Sequence, residues 1–270
     1  MPAATRAQLD RFRSEIRGLA APVDASAERD PLTFARALGL ELDLWQARII
    51  AEAQPRTILN CSRQAGKSTA AAVLALHEAI FKPNSLTLLV SPSLRQSSEL
   101  FRTITGLRQR LPWLPALSED NRLSLTIRGG GRIVSLPSSE STVRGFSSVT
   151  LLVEDESARV DDSLHLAVLP MLAVTRGRLL LMSSPWAKRG HFHDIWTNGQ
   201  GWHRERVTVH DVPRIAPEWI DEQRRSMPDM WFRSEYLCEF VDAEDGVFLP
   251  EHIDEALSSD VAPLFGGDHE

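Results

Sequence analysis

The sequence has few of the features that mark several large classes of protein. Its two cysteines, Cys61 and Cys238, form neither a disulfide framework nor a metal-ligand spacing, which indicates a reducing compartment. No stretch approaches the roughly 18 apolar residues of a membrane span, and the N-terminus lacks an apolar signal core. We therefore expect a soluble, cytoplasmic protein with no membrane partner.

The chain also lacks an excess of positive charge, and lysine is scarce. A net charge of -6 argues against a protein that simply coats nucleic acid, although it does not exclude a local basic face. Only three of the 30 basic residues are lysines. This arginine bias reflects either a GC-rich genome, which composition alone favours, or selection for guanidinium groups that bind phosphate.

The rest of the composition is that of a globular protein. With 270 residues, 43% hydrophobic and 24% charged, the chain is long enough to bury a core. Apolar runs alternate with amphipathic stretches along most of its length. Buried strands are predicted for RTILNC, LTLLVSP, VTLLVEDE and RLLLMSSP, a glycine-turn hairpin for LSLTIRGGGRIVSLP, and helices for KSTAAAVLALHEAIF and for residues of about 93–111 and 163–174. This pattern indicates an α/β fold with a mostly parallel sheet flanked by helices.

Four regions are expected along the chain. Residues 1–32 form an N-terminal helical lead-in, and residues 33–200 form the core. Residues 201–245 are predicted to form a small lid-like subdomain, with the strand HRERVTVHD and helices over 217–226 and 228–238. Residues 246–270 are interpreted as a linker region or a frayed end.

The stretch NCSRQAGKST, residues 60–69, resembles a phosphate-binding loop. Gly66, Lys67 and Ser68 match the end of the pattern Gly-x4-Gly-Lys-Ser/Thr, whereas Cys61 stands where the first glycine belongs. The stretch lies between a predicted strand and a predicted helix, so its backbone N–H groups can cradle the phosphates of ATP. Lys67 would reach the β- and γ-phosphates, and Ser68 would bind Mg²⁺. The predicted nucleotide-binding residues of the loop are Ser62, Arg63, Gln64, Ala65, Gly66, Lys67, Ser68 and Thr69.

Acidic residues end the predicted strand LLVEDE. Carboxylates after an apolar strand are costly unless they act at the edge of the sheet where ligands bind. Asp155 is predicted to hold Mg²⁺, and Glu156 to orient and deprotonate the attacking water. Glu154 is expected to point to the other face of the sheet, solvated or paired. Together with the loop, this arrangement is typical of an ASCE-type P-loop NTPase.

Hydroxyl and imidazole groups follow the next predicted strand. Ser183 and Ser184 would lie near the γ-phosphate and sense it, although a polar turn before Pro185 explains them equally simply. His191 and His193 suggest a metal site, but the sequence near them shows no further ligand at a suitable spacing. We therefore interpret both histidines as structural.

Four segments in order resemble the large terminase subunit of tailed bacteriophages: SRQAGKST, LLVEDESARV, MSSPWAKRGHFHDIW and SEYLCEFVDAEDGVF. The upstream segment LDLWQARII is similar to the adenine-recognition segment of that family. The resemblance implies that Gln46 reads the adenine and that Arg63 touches the γ-phosphate and couples hydrolysis to movement. It assigns Ser183 and Ser184 to the coupling motif. It also implies that Arg144 reaches the nucleotide of a neighbouring subunit, although a strand-edge arginine paired with an acid fits as well.

The resemblance further implies a molecular role. An ATPase domain of this family drives double-stranded DNA into a procapsid as part of a homo-oligomeric ring on the portal, assisted by the small terminase subunit. DNA would be contacted through its backbone without sequence preference. Residues 246–270 would then be the truncated start of a linker to a nuclease domain, so DNA cleavage is not expected of this chain.

Two other functions stay open at this point. A helicase-like, nucleic-acid-dependent P-loop ATPase would share the loop and the acids, but it requires a second motor domain. An interaction subunit that binds nucleotide without hydrolysis would share the loop alone, and it needs no general base such as Glu156.

Overall fold

A computed structural model of the chain describes residues 30–111, 114–137 and 145–241. Within these residues one eight-stranded sheet has the strand order β3-β4-β5-β2-β6-β7-β1-β8. Its strands are β1 (Arg56–Cys61), β2 (Leu86–Ser91), β3 (Leu117–Asp120), β4 (Ser124–Ile127), β5 (Arg132–Pro137), β6 (Leu151–Asp155), β7 (Arg178–Ser183) and β8 (His203–Val207).

Eight α-helices accompany the sheet in the described residues. They are α1 (Pro31–Ala37), α2 (Leu44–Glu52), α3 (Lys67–Phe81), α4 (Leu94–Arg108), α5 (Asp162–Val168), α6 (Gly190–Asn198), α7 (Pro217–Ser226) and α8 (Asp229–Glu235). Short 3₁₀ turns lie at Ser157–Arg159, Leu169–Leu172 and Val209–Asp211. The helix expected near 163–174 is shorter than predicted, because Pro170 lies within the second of these turns. No helix in the described ranges combines the length and apolarity that crossing a bilayer requires.

The six strands from β5 to β8 in the sheet order run parallel, and β4 and β3 extend the sheet in antiparallel fashion. Asn60 of β1 lies opposite Ser183 of β7, and Asp155 of β6 lies opposite Met182. The carboxyl ends of these three strands therefore meet at one edge, where open α/β sheets bind their ligands.

Helices cover both faces of the sheet, which explains why the central strands β1, β2, β6 and β7 are buried along nearly their whole length. Helices α1 to α4 pack on one face through residues such as Phe34, Val73 and Phe101. Helices α5 and α6 pack on the other face through Leu164 and Phe192. Each element thus buries one apolar stripe, as the predicted layered α/β fold requires.

The C-terminal helices form a small cluster of their own, in which Val209, Ile220 and Phe232 are buried together. Strand β8 belongs instead to the main sheet, where it pairs in parallel with β1. It lies inside the range predicted for the lid-like subdomain, and Val212 after it is also part of the core on one face of the sheet. Helix α8 ends at Glu235, before the expected residue 238, and Cys238 adopts a left-handed φ of 58°.

Candidate nucleotide-binding site

The segment from Ser62 to Gly66 connects β1 to α3 at the carboxyl edge of the sheet. Gly66 has a φ of 95°, a left-handed conformation that L side chains rarely adopt. A Cβ atom at this position would lie 2.6 Å from the side-chain nitrogen of Gln46. Glycine is therefore required for the turn into α3, and its lack of a side chain also leaves room for the amide of Gln46.

Cys61 can replace the first glycine of the phosphate-loop pattern, because the turn of the loop begins after it. Cys61 is the last residue of β1, and the left-handed residues of the loop are Gln64 and Gly66. A strand residue needs no glycine. Burial raises the pKa of the Cys61 thiol far above its usual range, so this side chain is a small neutral filler.

Lys67, the first residue of α3, lies against the acids that end β6. Its ammonium nitrogen is 3.2 Å from Oε1 of Glu156. Burial opposes the charged form of Lys67, but the carboxylates of Glu156 and Asp155 outweigh it and raise the pKa of the lysine. The group thus stays a cation in the position that a phosphate-binding lysine occupies.

Asp155 is 7% exposed, and its carboxylate accepts the backbone N–H of Glu156. Burial raises the pKa of Asp155 to about 6, and the negative charge of Glu156 adds to this effect although Lys67 opposes it. A buried carboxylate with so little compensation is suited to a hard cation. Ser68 and Thr69 lie in the first turn of α3, at the same edge of the sheet.

Glu156 directly follows β6 in a left-handed conformation, with φ at 52°. Its Oε2 atom accepts a hydrogen bond from Arg159 at 3.0 Å and lies 3.5 Å from the hydroxyl of Ser183. Lys67 holds the other carboxylate oxygen. The carboxylate is therefore oriented from three sides, which a general base requires.

Glu235, at the end of α8, joins the loop to the C-terminal helices. Arg63 donates two side-chain hydrogen bonds to its carboxylate, at 2.7 and 3.1 Å. The same carboxylate accepts hydrogen bonds from Arg159 at 3.2 Å and from Ser184 at 3.0 Å. In this structure Arg63 therefore faces Glu235, and the predicted coupling serine Ser184 shares that partner.

Helix α2 closes the other side of the loop. The Gln46 side chain donates to the backbone oxygen of Gly66 at 2.9 Å and accepts the backbone N–H of Asp43. Arg214 binds both carboxylate oxygens of Asp43 at 2.6 Å and the backbone oxygen of Ala65 at 3.1 Å. Gln46 thus lies against the phosphate loop, with both amide atoms bonded to backbone, and its expected role in reading the adenine stays a prediction.

Most of the chain also matches one known protein family. Residues 58–253 match the family described as terminase large subunit, T4likevirus-type, N-terminal. The chain belongs to the terminase large subunit family. The resemblance seen in the sequence motifs is confirmed.

Individual terminases support this assignment. The large subunit of Thermus phage G20c is 26% identical over 251 residues, which cover 80% of this chain and 52% of that protein. The large subunit of Escherichia phage T5 is 26% identical over 196 residues, covering 69% of this chain and 44% of that protein. The chain therefore spans about half the length of the curated relatives it matches.

Solved structures show the same fold. The large terminase ATPase domain of Thermus phage P74-26 has a TM-score of 0.67 at 23% identity, over 77% of this chain and 98% of that one. The large terminase of a thermophilic bacteriophage, solved in complex with ADP, has a TM-score of 0.64 at 12% identity, over 74% of this chain and 54% of that one. The predicted P-loop NTPase-like α/β fold is confirmed.

The terminase structure brings most of the predicted site residues to one place. Arg63, Lys67, Asp155 and Glu156 lie at the carboxyl edge of the sheet with Ser183 and Ser184. Arg144 lies outside the described residues, so its expected role as a trans finger stays a prediction.

Three residues at the site were missed from the sequence: Arg159, Arg214 and Glu235. The position of Arg159, three residues after Glu156, is a signal that could have been used. Arg214 and Glu235 lie 149 and 172 residues from their loop partners, and no local pattern joins such distant residues.

The third acid of β6 is paired on the opposite face of the sheet. Glu154 is fully buried and contacts His165 and His191. The expectation that it faces away from the nucleotide is confirmed. The expectation that His191 has no further ligand at a suitable distance is wrong, because folding brings Glu154 and His165 next to it.

Proposed function

We propose that the chain is the ATPase domain of a DNA-packaging motor. ATP binds at the carboxyl edge of the sheet and is hydrolysed there. The observation that carries this proposal is the cluster of Lys67, Asp155 and Glu156, in which a buried lysine and two acids converge on the end of the phosphate loop. A protein that only bound nucleotide would have no use for an oriented carboxylate such as Glu156.

Magnesium fits the oxygen ligands that the site offers. The buried Asp155 carboxylate and the Ser68 hydroxyl are hard oxygen donors, which Mg²⁺ prefers. When bound, Mg²⁺ supplies charge neutralisation at the β- and γ-phosphates. The backbone N–H groups at the start of α3 cradle the phosphates, and Lys67 holds the γ-phosphate. The N–H of Arg63 is instead bonded to the backbone oxygen of Glu235.

Glu156 carries the proton transfer. It accepts a proton from the attacking water as the new bond to the γ-phosphorus forms and the bond to the bridging oxygen of ADP breaks. Arg159 and Ser183 hold the Glu156 carboxylate in position. The γ-phosphate competes with Glu156 for Lys67, so ATP binding releases one oxygen of the base.

Arg63 links the nucleotide to the C-terminal helices. Its partner Glu235 competes with the γ-phosphate for the same guanidinium. ATP binding draws Arg63 away from Glu235, and Ser184 and Arg159 then become the remaining partners of that carboxylate. The state of the nucleotide is thereby passed to α8.

The working assembly follows from family membership. We propose that the domain acts in a homo-oligomeric ring on the procapsid portal, in the host cytoplasm, with the small terminase subunit as partner. Double-stranded DNA is bound through its phosphates, so DNA stimulation of ATP hydrolysis falls steeply with salt. Arg144 would complete the site of a neighbouring subunit. The activity proposed for these 270 residues is ATP hydrolysis alone.

The test is steady-state hydrolysis of Mg·ATP at rising protein concentration, for the native chain and for Glu156→Gln. We expect native turnover to rise with concentration and to require Mg²⁺, and the variant to lose at least ~100-fold in kcat while it still binds ATP. Glu218→Gln, which alters an exposed acid in α7, serves as the matched control and keeps native activity. Equal hydrolysis by native chain and Glu156→Gln would refute the role of the base. ATP binding without turnover at any concentration would favour a non-hydrolysing binder.

A further inference from the structure

A buried cluster of ionisable groups lies behind β6, on the face opposite the phosphate loop. Along β6, Val153 packs into the core beneath α3, whereas Leu152 packs into the core beneath α5 and α6. Glu154 alternates with Val153 and so shares the face of Leu152. Its side chain is 0% exposed, and it meets His165 from α5 and His191 from α6.

The three side chains each present a ligand atom to the same small space. His165 Nδ1 is 2.9 Å from Glu154 Oε2, and His191 Nε2 is 3.5 Å from Glu154 Oε1. The ligand atoms of the three residues all lie within 4.8 Å of one another. The two imidazole rings are stacked with centroids 4.0 Å apart, so both present a nitrogen to one carboxylate.

One oxygen of this carboxylate is not satisfied. Glu154 Oε1 has no hydrogen-bond partner although it is inaccessible to water. An ionised carboxylate in the interior is stable only where positive charge and hydrogen bonds compensate it. A cation bound in this pocket would supply that compensation.

A second carboxylate orients His191 from behind. Asp162 Oδ1 lies 2.8 Å from His191 Nδ1 and also accepts the backbone N–H of His191. We therefore assign a ring proton to Nδ1. Nε2 faces Glu154 and lies 3.0 Å from the hydroxyl of Ser157, so it is the nitrogen that a metal ion would bind. A carboxylate–histidine pair of this kind is the usual support of a histidine that binds a metal ion.

We propose that Glu154, His165 and His191 form a binding site for a divalent transition-metal ion of the zinc class. Two imidazole nitrogens and one carboxylate oxygen suit Zn²⁺, whereas Mg²⁺ prefers an all-oxygen set, so this site is chemically distinct from the Mg·ATP site. Bond lengths of about 2.0–2.2 Å place tetrahedral ligands about 3.3 Å apart. Because the ligand atoms all lie within 4.8 Å of one another, the ion needs to draw the widest pair together by at most about 1.5 Å, through side-chain rotation.

The ion would act as a structural clamp. It would join β6, which carries Asp155 and Glu156, to α5 and α6 on the back of the sheet. Helix α6 begins at Gly190, six residues after the predicted coupling residue Ser184. A metal bound here therefore holds the acidic strand and the segment after the coupling serines in one rigid unit.

The test is a titration of the metal-free native chain with Co²⁺ and with Zn²⁺ at about pH 7.5, because protons compete with the metal ion for the imidazole nitrogens at lower pH. Excess Mg²⁺ is kept present to occupy the oxygen site. We expect one equivalent of Co²⁺ to bind, with the strong visible absorption of a four-coordinate ion. Zn²⁺ at about 100 times its Kd should raise Tm by ~5–10 °C. Absence of binding, or binding only where Mg²⁺ is left out, would overturn the proposal and leave a protonated imidazole as the counter-charge.

Variants assign the binding to these residues. His165→Gln and His191→Gln should each lose the Co²⁺ spectrum and the Tm shift. His193→Gln, which changes a neighbouring histidine of α6 outside the cluster, should keep both. Circular dichroism shows which variants fold. If either cluster variant fails to fold, the test is made on the native chain alone. Removal of the bound metal by a chelator must then lower its Tm. Retention of the Co²⁺ spectrum in a folded His191→Gln variant would contradict the proposal.

Discussion

At the scale of single residues, Asp155 places a carboxylate where burial disfavours the charged form. Burial raises the pKa of Asp155 from 3.8 to about 6, which corresponds to about 3 kcal/mol. Between these two pH values the folded chain binds more protons at Asp155 than the unfolded chain does. The contribution of Asp155 to stability therefore falls as pH rises from about 4 to 6, and the cost is fully present at neutral pH.

This argument predicts that Asp155→Asn stabilises the metal-free chain. We expect the free energy of unfolding to rise by ~2–3 kcal/mol at about pH 7, because the amide removes the buried charge, and the gain to vanish below about pH 4. Urea unfolding in the presence of a chelator, at a series of pH values, measures the difference between variant and native chain.

Asp120→Asn provides the control for this experiment, because Asp120 is an exposed acid at the end of β3. Its effect should stay within ~0.5 kcal/mol at neutral pH. A loss of stability in Asp155→Asn at neutral pH would mean that Lys67 compensates the carboxylate fully. The same variant should bind Mg·ATP more weakly than the native chain, since a neutral amide is a poorer ligand for Mg²⁺.

At the scale of elements, one helix end gathers the groups that sense the nucleotide. Glu235 at the end of α8 accepts hydrogen bonds from Arg63, Arg159 and Ser184. These donors come from the loop after β1, the 3₁₀ turn after β6 and the segment after β7. Because the donors come from three separate segments, a change at any one of them alters the position of α8.

We predict that Glu235→Gln binds ATP a few-fold more tightly than the native chain. The γ-phosphate then no longer competes with a carboxylate for Arg63, whose side chain is 62% exposed and whose pairing is therefore weak. Isothermal titration with a non-hydrolysable ATP analogue measures the affinity. Glu239 lies four residues after Glu235 and pairs with Arg233 in a comparable way. Glu239→Gln should therefore leave the affinity for ATP unchanged. Weaker binding by Glu235→Gln would show that the carboxylate positions Arg63 for the phosphate.

The elements and the motifs were predictable, whereas the links between them were not. Strands such as RTILNC and RLLLMSSP have a continuous apolar centre because both faces of the sheet are covered, and this signal is local. The acids at the end of β6 were predictable for the same reason, since charge at the end of a buried strand is conspicuous. The contacts of Arg214 and Glu235 depend on how distant segments pack, and the composition around either residue contains no sign of them.

At the scale of the whole molecule, the role of the predicted arginine finger decides whether one subunit can hydrolyse ATP without its neighbour. Arg144 precedes β6 and lies outside the described residues. Two arrangements fit a family member of this kind. In one, Arg144 completes the site of the next subunit in a ring, and in the other it pairs with an acid of its own subunit. Only the first makes hydrolysis a property of the assembly.

A mixing experiment separates the two arrangements. Arg144→Ala retains Glu156 but lacks the finger, and Glu156→Gln retains the finger but lacks the base, so each alone should be nearly inactive. In a ring assembled from equal amounts of both, about a quarter of the interfaces join an intact base to an intact finger. We therefore predict that the mixture regains up to about a quarter of native ATPase activity, measured at a protein concentration where native turnover has reached its plateau. An arginine that acts within its own subunit gives no such recovery, because no subunit of the mixture then contains both groups.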